Sequence, residues 1–176
     1  ELYEDEELSV RAEKVKASIC RIGFNGRFFV DNAVRVNGVL TPCNDHISET
    51  CQYYALYFGI TANEDLSRTM LENFGVKNKN DKYDYIAPSN MFIGNYLRLF
   101  WLCELNENKR AAEESKELFY RMAAKTGTLW EHNDTRASCN HGFASVIAVL
   151  LLRSICGFEE IKNGEPVFKK DFKNGA

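Results

Sequence analysis

The stretch MFIGNYLRLFWLCEL, residues 91–105, decides the fold once it is set beside RAAEESKELFYRMAAK, residues 110–125. In the first, Phe92, Ile93, Tyr96, Leu97, Leu99, Phe100, Trp101 and Leu102 leave almost no polar side, so a helix here must be covered by protein all round. The second is amphipathic, and Glu113, Glu114, Lys116 and Glu117 mark a face expected in solvent. An inner helix followed by an outer one is the structural unit these residues predict.

Working outward, residues 48–58 read as a helix closed by Gly59. Thr61-Ala62-Asn63-Glu64 then reads as a capping box opening a second helix that Gly75 closes. Upstream, 7–22 forms a helix with Leu8, Val15, Ile19 and Ile22 on one face and Glu13, Lys14 and Lys16 outward, broken by Gly23 and Gly26. Residues 24–35 are either a short helix or an extended loop ending at the turn Val36-Asn37-Gly38. The polar run 77–85 reads as a surface loop that does not pack, and Pro88-Ser89-Asn90 starts the next helix. Downstream, 141–156 is apolar all round and ends at Gly157, while Asn163-Gly164 turns into an extended segment, Glu165-Pro166-Val167-Phe168, before a Lys-rich end expected to fray.

Apolar helices alternating with amphipathic ones suit a ring of helical hairpins, whose inner members are covered on both sides. A helical-repeat solenoid would look similar, but irregular loops and the lack of a fixed period favour the ring. The expected fold class is therefore all-α, with strands few or absent: helical hairpins of the (α/α)6-toroid type. Residues 1–160 are expected to form an incomplete barrel, the C-terminal half, and 161–176 a tail that opens a following β domain.

A chain of 176 residues suffices for one core of ordinary size. A net charge of −3 offers no global attraction to nucleic acid or anionic membrane, and the longest apolar run, 146–152, falls far short of the roughly 20 residues that span a bilayer. No nucleic-acid or membrane partner is expected. The acidic start shows no signal peptide. Cysteines 20, 43, 51, 103, 139 and 156 form no CxxC pair and read as reduced, buried thiols. Phosphate-loop, HExxH and Cys/His metal patterns are absent from the sequence, so neither cofactor nor metal is expected.

Parallel inner helices would open their N-terminal ends on one side. Three polar clusters then share a mouth: Asn44-Asp45-His46 with Glu49, Ser89-Asn90, and Asn140-His141. The loop 126–139 brings Trp130 and Glu131 to it. An indole face packs against a pyranose and a carboxylate activates water, the pairing a sugar-cleaving site uses. The plain structural alternative packs Trp130 in the core and leaves Glu131 solvated. His141 suits a hydrogen bond to a substrate hydroxyl or to Glu131, against a purely local cap. Asp45, His46 and Glu49 read first as partners of a helix dipole. Asn133-Asp134-Thr135 matches the N-glycosylation acceptor pattern, which is common by chance.

The run Thr126-Gly127-Thr128-Leu129-Trp130-Glu131, with Ser138-Cys139-Asn140-His141-Gly142-Phe143-Ala144-Ser145-Val146, resembles the late catalytic signature of α-L-rhamnosidases of glycoside hydrolase family 78. The segment Ser48-Glu49-Thr50-Cys51-Gln52-Tyr53-Tyr54-Ala55-Leu56 and the helix over 90–99 are similar to the barrel helices that precede it. The resemblance implies an (α/α)6 barrel that hydrolyses terminal rhamnose with inversion. It implies Glu131 as general base and Trp130, Asn140 and His141 as substrate-binding residues. It also implies a carbohydrate or rhamnosylated glycoside as partner, the remaining half of the barrel as a second, and a periplasmic or extracellular location. The chain departs from the pattern after the glutamate, where His132-Asn133-Asp134 replaces an aromatic, and after Asn-His, where Gly142 does. The family's acid motif of Asp, Arg and Glu has no counterpart here, so this chain alone is expected to be inactive. Alternatives are another toroid-type hydrolase or polysaccharide lyase, and a non-catalytic helical-repeat binding protein.

Overall fold

The computed structural model describes residues 5–76, 81–170 and 172. Helix α1 (Glu6–Gly23) starts where Asp5 accepts a hydrogen bond from the Leu8 amide at 3.1 Å. It carries the predicted apolar stripe, yet none of its residues is buried, and Leu8 remains 55% exposed. Only around Cys20 does it touch the core, next to Phe24 just beyond its end.

The segment after α1 is extended. Phe28, Phe29 and Val30 are buried, and the Gln52 side chain fixes them by accepting from the Phe29 amide and donating to the Phe29 carbonyl, both at 2.8 Å. Strands β1 (Ala33–Val36) and β2 (Val39–Pro42) then pair antiparallel. Asn37 and Gly38 join them at φ 48° and 82°, the two left-handed residues that a tight hairpin turn needs.

Ser48 caps α2 (Glu49–Tyr57) by accepting from the Cys51 amide at 3.2 Å. In α3 (Glu64–Asn73) the cap is Asn63, which accepts from the Leu66 amide at 2.9 Å. The expected capping box on Thr61 is thus displaced by two residues, and Thr61 instead accepts from the Asn63 amide at 3.2 Å. Residues 77–80 of the predicted surface loop lie outside the described residues. Its continuation does pack: Asp81–Tyr83 form a 3-10 turn whose buried Tyr83 ring meets Phe28 and Phe74 at 5.8 and 5.1 Å.

A π-turn, Met91–Asn95, leads into α4 (Tyr96–Glu104), where seven of nine residues are buried. Leu97 and Trp101 face Tyr53, Leu66 and Met70, while Leu99, Leu102 and Cys103 face Leu118, Met122 and Leu150. The covered helix the sequence predicted over 91–105 is thus found over Tyr96–Glu104 alone, since Ile93 and Leu105 are exposed. Its outer companion α5 (Asn108–Thr126) exposes Glu113, Lys116 and Glu117, but Glu114 is buried, correcting the expectation that it faced solvent.

The cause is Arg98, 1% exposed in the middle of α4. Its Nε and Nη2 donate to the two Glu114 oxygens at 2.6 and 2.8 Å, and its Nη1 donates to Tyr53 Oη at 3.1 Å and the Met70 carbonyl at 3.2 Å. Arg110 adds a third bond to Glu114, at 2.8 Å. Burial alone would raise the Glu114 carboxyl; the hydrogen bonds and charges of the two arginines outweigh it and hold the group below its ordinary value. Gly75 makes room for this cluster. At φ +112°, a Cβ there would sit 2.4 Å from Arg98 Nη2.

Helix α6 (Ile147–Cys156), after a 3-10 turn at Gly142–Val146, was expected to be covered all round. It buries Leu150 and Ser154 but leaves Val149, Leu151, Leu152 and Ile155 exposed. Strands β3 (Phe158–Lys162) and β4 (Glu165–Phe168) form a second antiparallel hairpin across Asn163-Gly164. Lys169 ties it back through Nζ to the Cys103 carbonyl at 3.0 Å. Residues 171 and 173–176, with the end expected to fray, lie outside the described residues. The fold is mostly helical, with six α-helices among the described residues, and two small antiparallel sheets correct the all-α expectation. None of the described helices is long and apolar enough to cross a membrane.

Candidate functional site

Gly127, at φ 74°, ends α5 and releases the loop that the sequence singled out. Within it, backbone bonds from Glu131 N to the Ser138 carbonyl (2.9 Å) and from His141 N to the Leu129 carbonyl (3.0 Å) hold the two arms together. Trp130 points inward. Its ring is 3% exposed and packs in the core of α4, α5 and α6; its Nε1 donates to Thr126 Oγ1 at 2.7 Å, and Lys125 and Arg121 stand 5.5 and 6.0 Å from its centre. The expected role of Trp130 as an aromatic platform is corrected, because neither face is open to a sugar.

Glu131 points the other way. Its side chain is 33% exposed, with His141 Nδ1 4.0 Å from one oxygen and His132 Nε2 4.0 Å from the other. The Ser138 amide donates to it at 3.4 Å. Asn90 Nδ2 lies 2.7 Å from His132 Nδ1, and an amide nitrogen can only donate, so the neutral imidazole carries its proton on Nε2, toward Glu131. The ring of His141 stacks on Phe143 at 5.5 Å, and Phe143 is 67% exposed. An accessible aromatic face at this rim therefore belongs to Phe143, one position past Gly142. Asn140 is exposed beside it, with its backbone bonded to Ser138 Oγ.

The loop also reaches the N-terminal end of α4. Asn133 donates from its amide nitrogen to the Ser89 carbonyl (3.1 Å), accepts from Asn95 Nδ2 (3.2 Å), and takes the Arg121 guanidinium on its own carbonyl (2.9 Å). With its side-chain nitrogen turned inward, Asn133 is poorly placed as a glycan acceptor. These residues line a cleft of about 360 Å³ with Glu49 and Glu117. Glu49 accepts from Tyr53 Oη at 2.8 Å; burial raises its carboxyl above the ordinary range, and the Tyr53 bond and the Arg98 charge only partly offset this.

Two of the three expected clusters thus meet the loop. Ser89-Asn90 binds it directly, and Glu49 shares the cleft beside it. Asp45 and His46 are exposed and face each other at 4.0 Å. Arg121, Asn95 and Phe143 did not emerge from the sequence as site residues. Only Phe143 carried a local signal, as an aromatic close behind Asn140-His141.

All six cysteines are free; Cys103 is buried, Cys156 is exposed, and the other four lie between. Burial, with Asp31 nearby, pushes the Cys51 thiol up to about 11, and burial does the same to Cys103, which disfavours the thiolate needed for attack or ligation. Among the described residues no group of three or more His, Cys, Asp and Glu could hold a metal ion. No protein-family model, curated protein or solved structure matches the chain.

Proposed function

We propose that the chain is part of an (α/α)6-barrel glycoside hydrolase similar to the family 78 α-L-rhamnosidases, and that Glu131 is the general base of an inverting cleavage of terminal rhamnose. The observation that carries the reading is the placement of Glu131, a part-exposed carboxylate between two histidines at 4.0 Å. A base must hold one water and accept its proton, which this setting permits. The spacing of Trp130-Glu131 and Asn140-His141 supports the family, with Trp130 acting as the wedge that aims Glu131 outward rather than as a platform. His141, Asn140 and Phe143 border the sugar.

Inversion needs a second carboxyl about 6.5–9.5 Å from the first to protonate the leaving oxygen. That acid comes from the remaining part of the barrel. The uncovered apolar faces of α1, with Leu8, Val15 and Ile19, and of α6, with Val149, Leu152 and Ile155, suit burial against that part. Produced alone, the chain is expected to self-associate with rising concentration, and co-production with its barrel partner should end this. A monomer at every concentration in sedimentation would count against covered faces.

The reaction is tested by proton NMR of an aryl α-L-rhamnoside incubated with the assembled barrel. β-Rhamnose is expected first, from single displacement by water. An α-anomer would remove the base mechanism, and an unsaturated uronic product from a uronate polymer would point to a lyase. Burial of Trp130 removes the aromatic platform and favours one second reading, a helical-repeat binding protein without chemistry, for which the same assay releases no sugar.

A further inference from the structure

We infer that His132 is a further catalytic residue, which holds the attacking water against Glu131 and is locked for that task by Asn90; the inference rests on the general-base reading of Glu131. The histidine stands where the sequence departs from the family pattern, so the resemblance assigns it no role.

The lock begins at the N-terminal end of α4. Asn133 is fixed there, donating to the Ser89 carbonyl at 3.1 Å and accepting from Asn95 Nδ2 at 3.2 Å and from Arg121 at 2.9 Å. Its backbone amide donates to Asn90 Oδ1 at 3.2 Å. A backbone N–H can only donate, so this bond settles which end of the Asn90 amide is oxygen. The nitrogen must then face His132 Nδ1, 2.7 Å away, and Nδ1 accepts. An imidazolium would set donor against donor, and so would the tautomer protonated on Nδ1. His132 is thereby kept as a neutral ring with its proton on Nε2.

That donor is turned toward Glu131. Nε2 stands 4.0 Å from Glu131 Oε1, too far for a direct hydrogen bond and near enough for one water to touch both. The other carboxylate oxygen is already engaged, since Oε2 accepts from the Ser138 amide at 3.4 Å and has His141 Nδ1 at 4.0 Å. Oε1 is the oxygen left to take a proton. Both side chains are part-exposed, so water reaches the gap. The water oxygen accepts from His132 Nε2–H, gives a proton to Glu131 Oε1 and bonds to the anomeric carbon through its remaining lone pair. The glycosidic C–O bond breaks as the acid of the barrel's other part protonates the leaving oxygen. A neutral donor suits this place, because a positive charge beside a carboxylate stabilises its charged form and makes it a poorer base.

NMR of the ring nitrogens in the chain itself reads which of them carries the proton. Nε2–H is expected in the wild type, and Asn90→Asp, which can still accept from the Asn133 amide, should draw a proton onto Nδ1. In the assembled barrel, His132→Phe should lower kcat on an aryl α-L-rhamnoside by about tenfold, the worth of one hydrogen bond. KM should stay within about twofold, because the donor acts on water rather than on the sugar. His132→Gln, whose amide nitrogen takes the place of Nε2, should recover most of the rate, whereas Asn90→Asp should fall with His132→Phe. Thermal melts establish that the variants fold. A wild-type ring protonated on Nδ1, full kcat in His132→Phe, equal losses in the Phe and Gln variants, or a change in KM alone would each overturn the water-holding role. With Glu131→Gln still slow, any of these leaves the base assignment standing. Normal turnover in Glu131→Gln, or no turnover by the wild-type barrel, would remove the base reading and this inference with it.

Discussion

Arg98→Leu is expected to cost about 3–5 kcal/mol, the range for removing one partner of a buried ion pair, out of a total stability of about 5–15 kcal/mol for a domain. Most of the penalty comes from what stays behind. Glu114 would keep Arg110 as its one cationic partner inside the fold, and Tyr53 Oη and the Met70 carbonyl would each lose a bond. Urea unfolding followed by circular dichroism measures the effect. Pairing Arg98→Leu with Glu114→Leu should recover much of the loss, since both charges then leave the interior. An unchanged midpoint in the single variant would mean that the pair contributes nothing. The same pair sets an acid limit. Because Glu114 titrates lower when folded, its contribution is complete above the unfolded value of about 4.3. The contribution is lost as the pH falls from there through the folded value. Wild type should therefore lose stability in that window, and the double variant should lose less.

Glu131→Gln, in the chain assembled with the remainder of its barrel, should lower kcat by about 10²–10⁴-fold, the usual contribution of a positioned general base. The amide keeps the shape and can still accept from the Ser138 amide, so the loop should hold. KM should change little, because the group lost acts on water rather than on the sugar. Near-normal turnover would transfer the base role to another residue. A large rise in KM with kcat intact would make Glu131 a binding group and sink the base assignment as well.

The inner helix α4 and outer helix α5 were legible because their periodicity reports burial directly. What periodicity does not report is a charged pair that folds inward. Arg98 sits among aromatics and Glu114 among other acids, and their meeting is a matter of how the two helices face each other, which neither segment encodes alone. The β1–β2 hairpin did carry a signal, Asn37-Gly38 between valines, the strongest short-range mark of a two-residue turn. Its strands are short and mostly exposed, so no buried alternation reinforced it. At the site, the pairing of Glu131 with His141 could be anticipated because the two lie in one loop. The inward turn of Trp130 could not, because sequence adjacency does not say which of two neighbouring side chains faces the core. The cleft was least legible of all: Glu49, Asn95, Arg121 and Asn133 come from two helices, a π-turn and a loop, and only the packing of α2 and α5 about α4 assembles them.

Helix α1 gives the molecule an uneven distribution of folding free energy. Eighteen residues is near the length at which an isolated helix is marginal in water, and this one hides none of its side chains. Opening it exposes little that was not already wet, whereas opening α4 dismantles both cores and the Arg98 cluster. Local unfolding therefore begins at Leu8 and stops near Cys20, where the helix first packs against the buried core, so amide exchange and protease cutting concentrate before that point while the Glu131 loop stays intact.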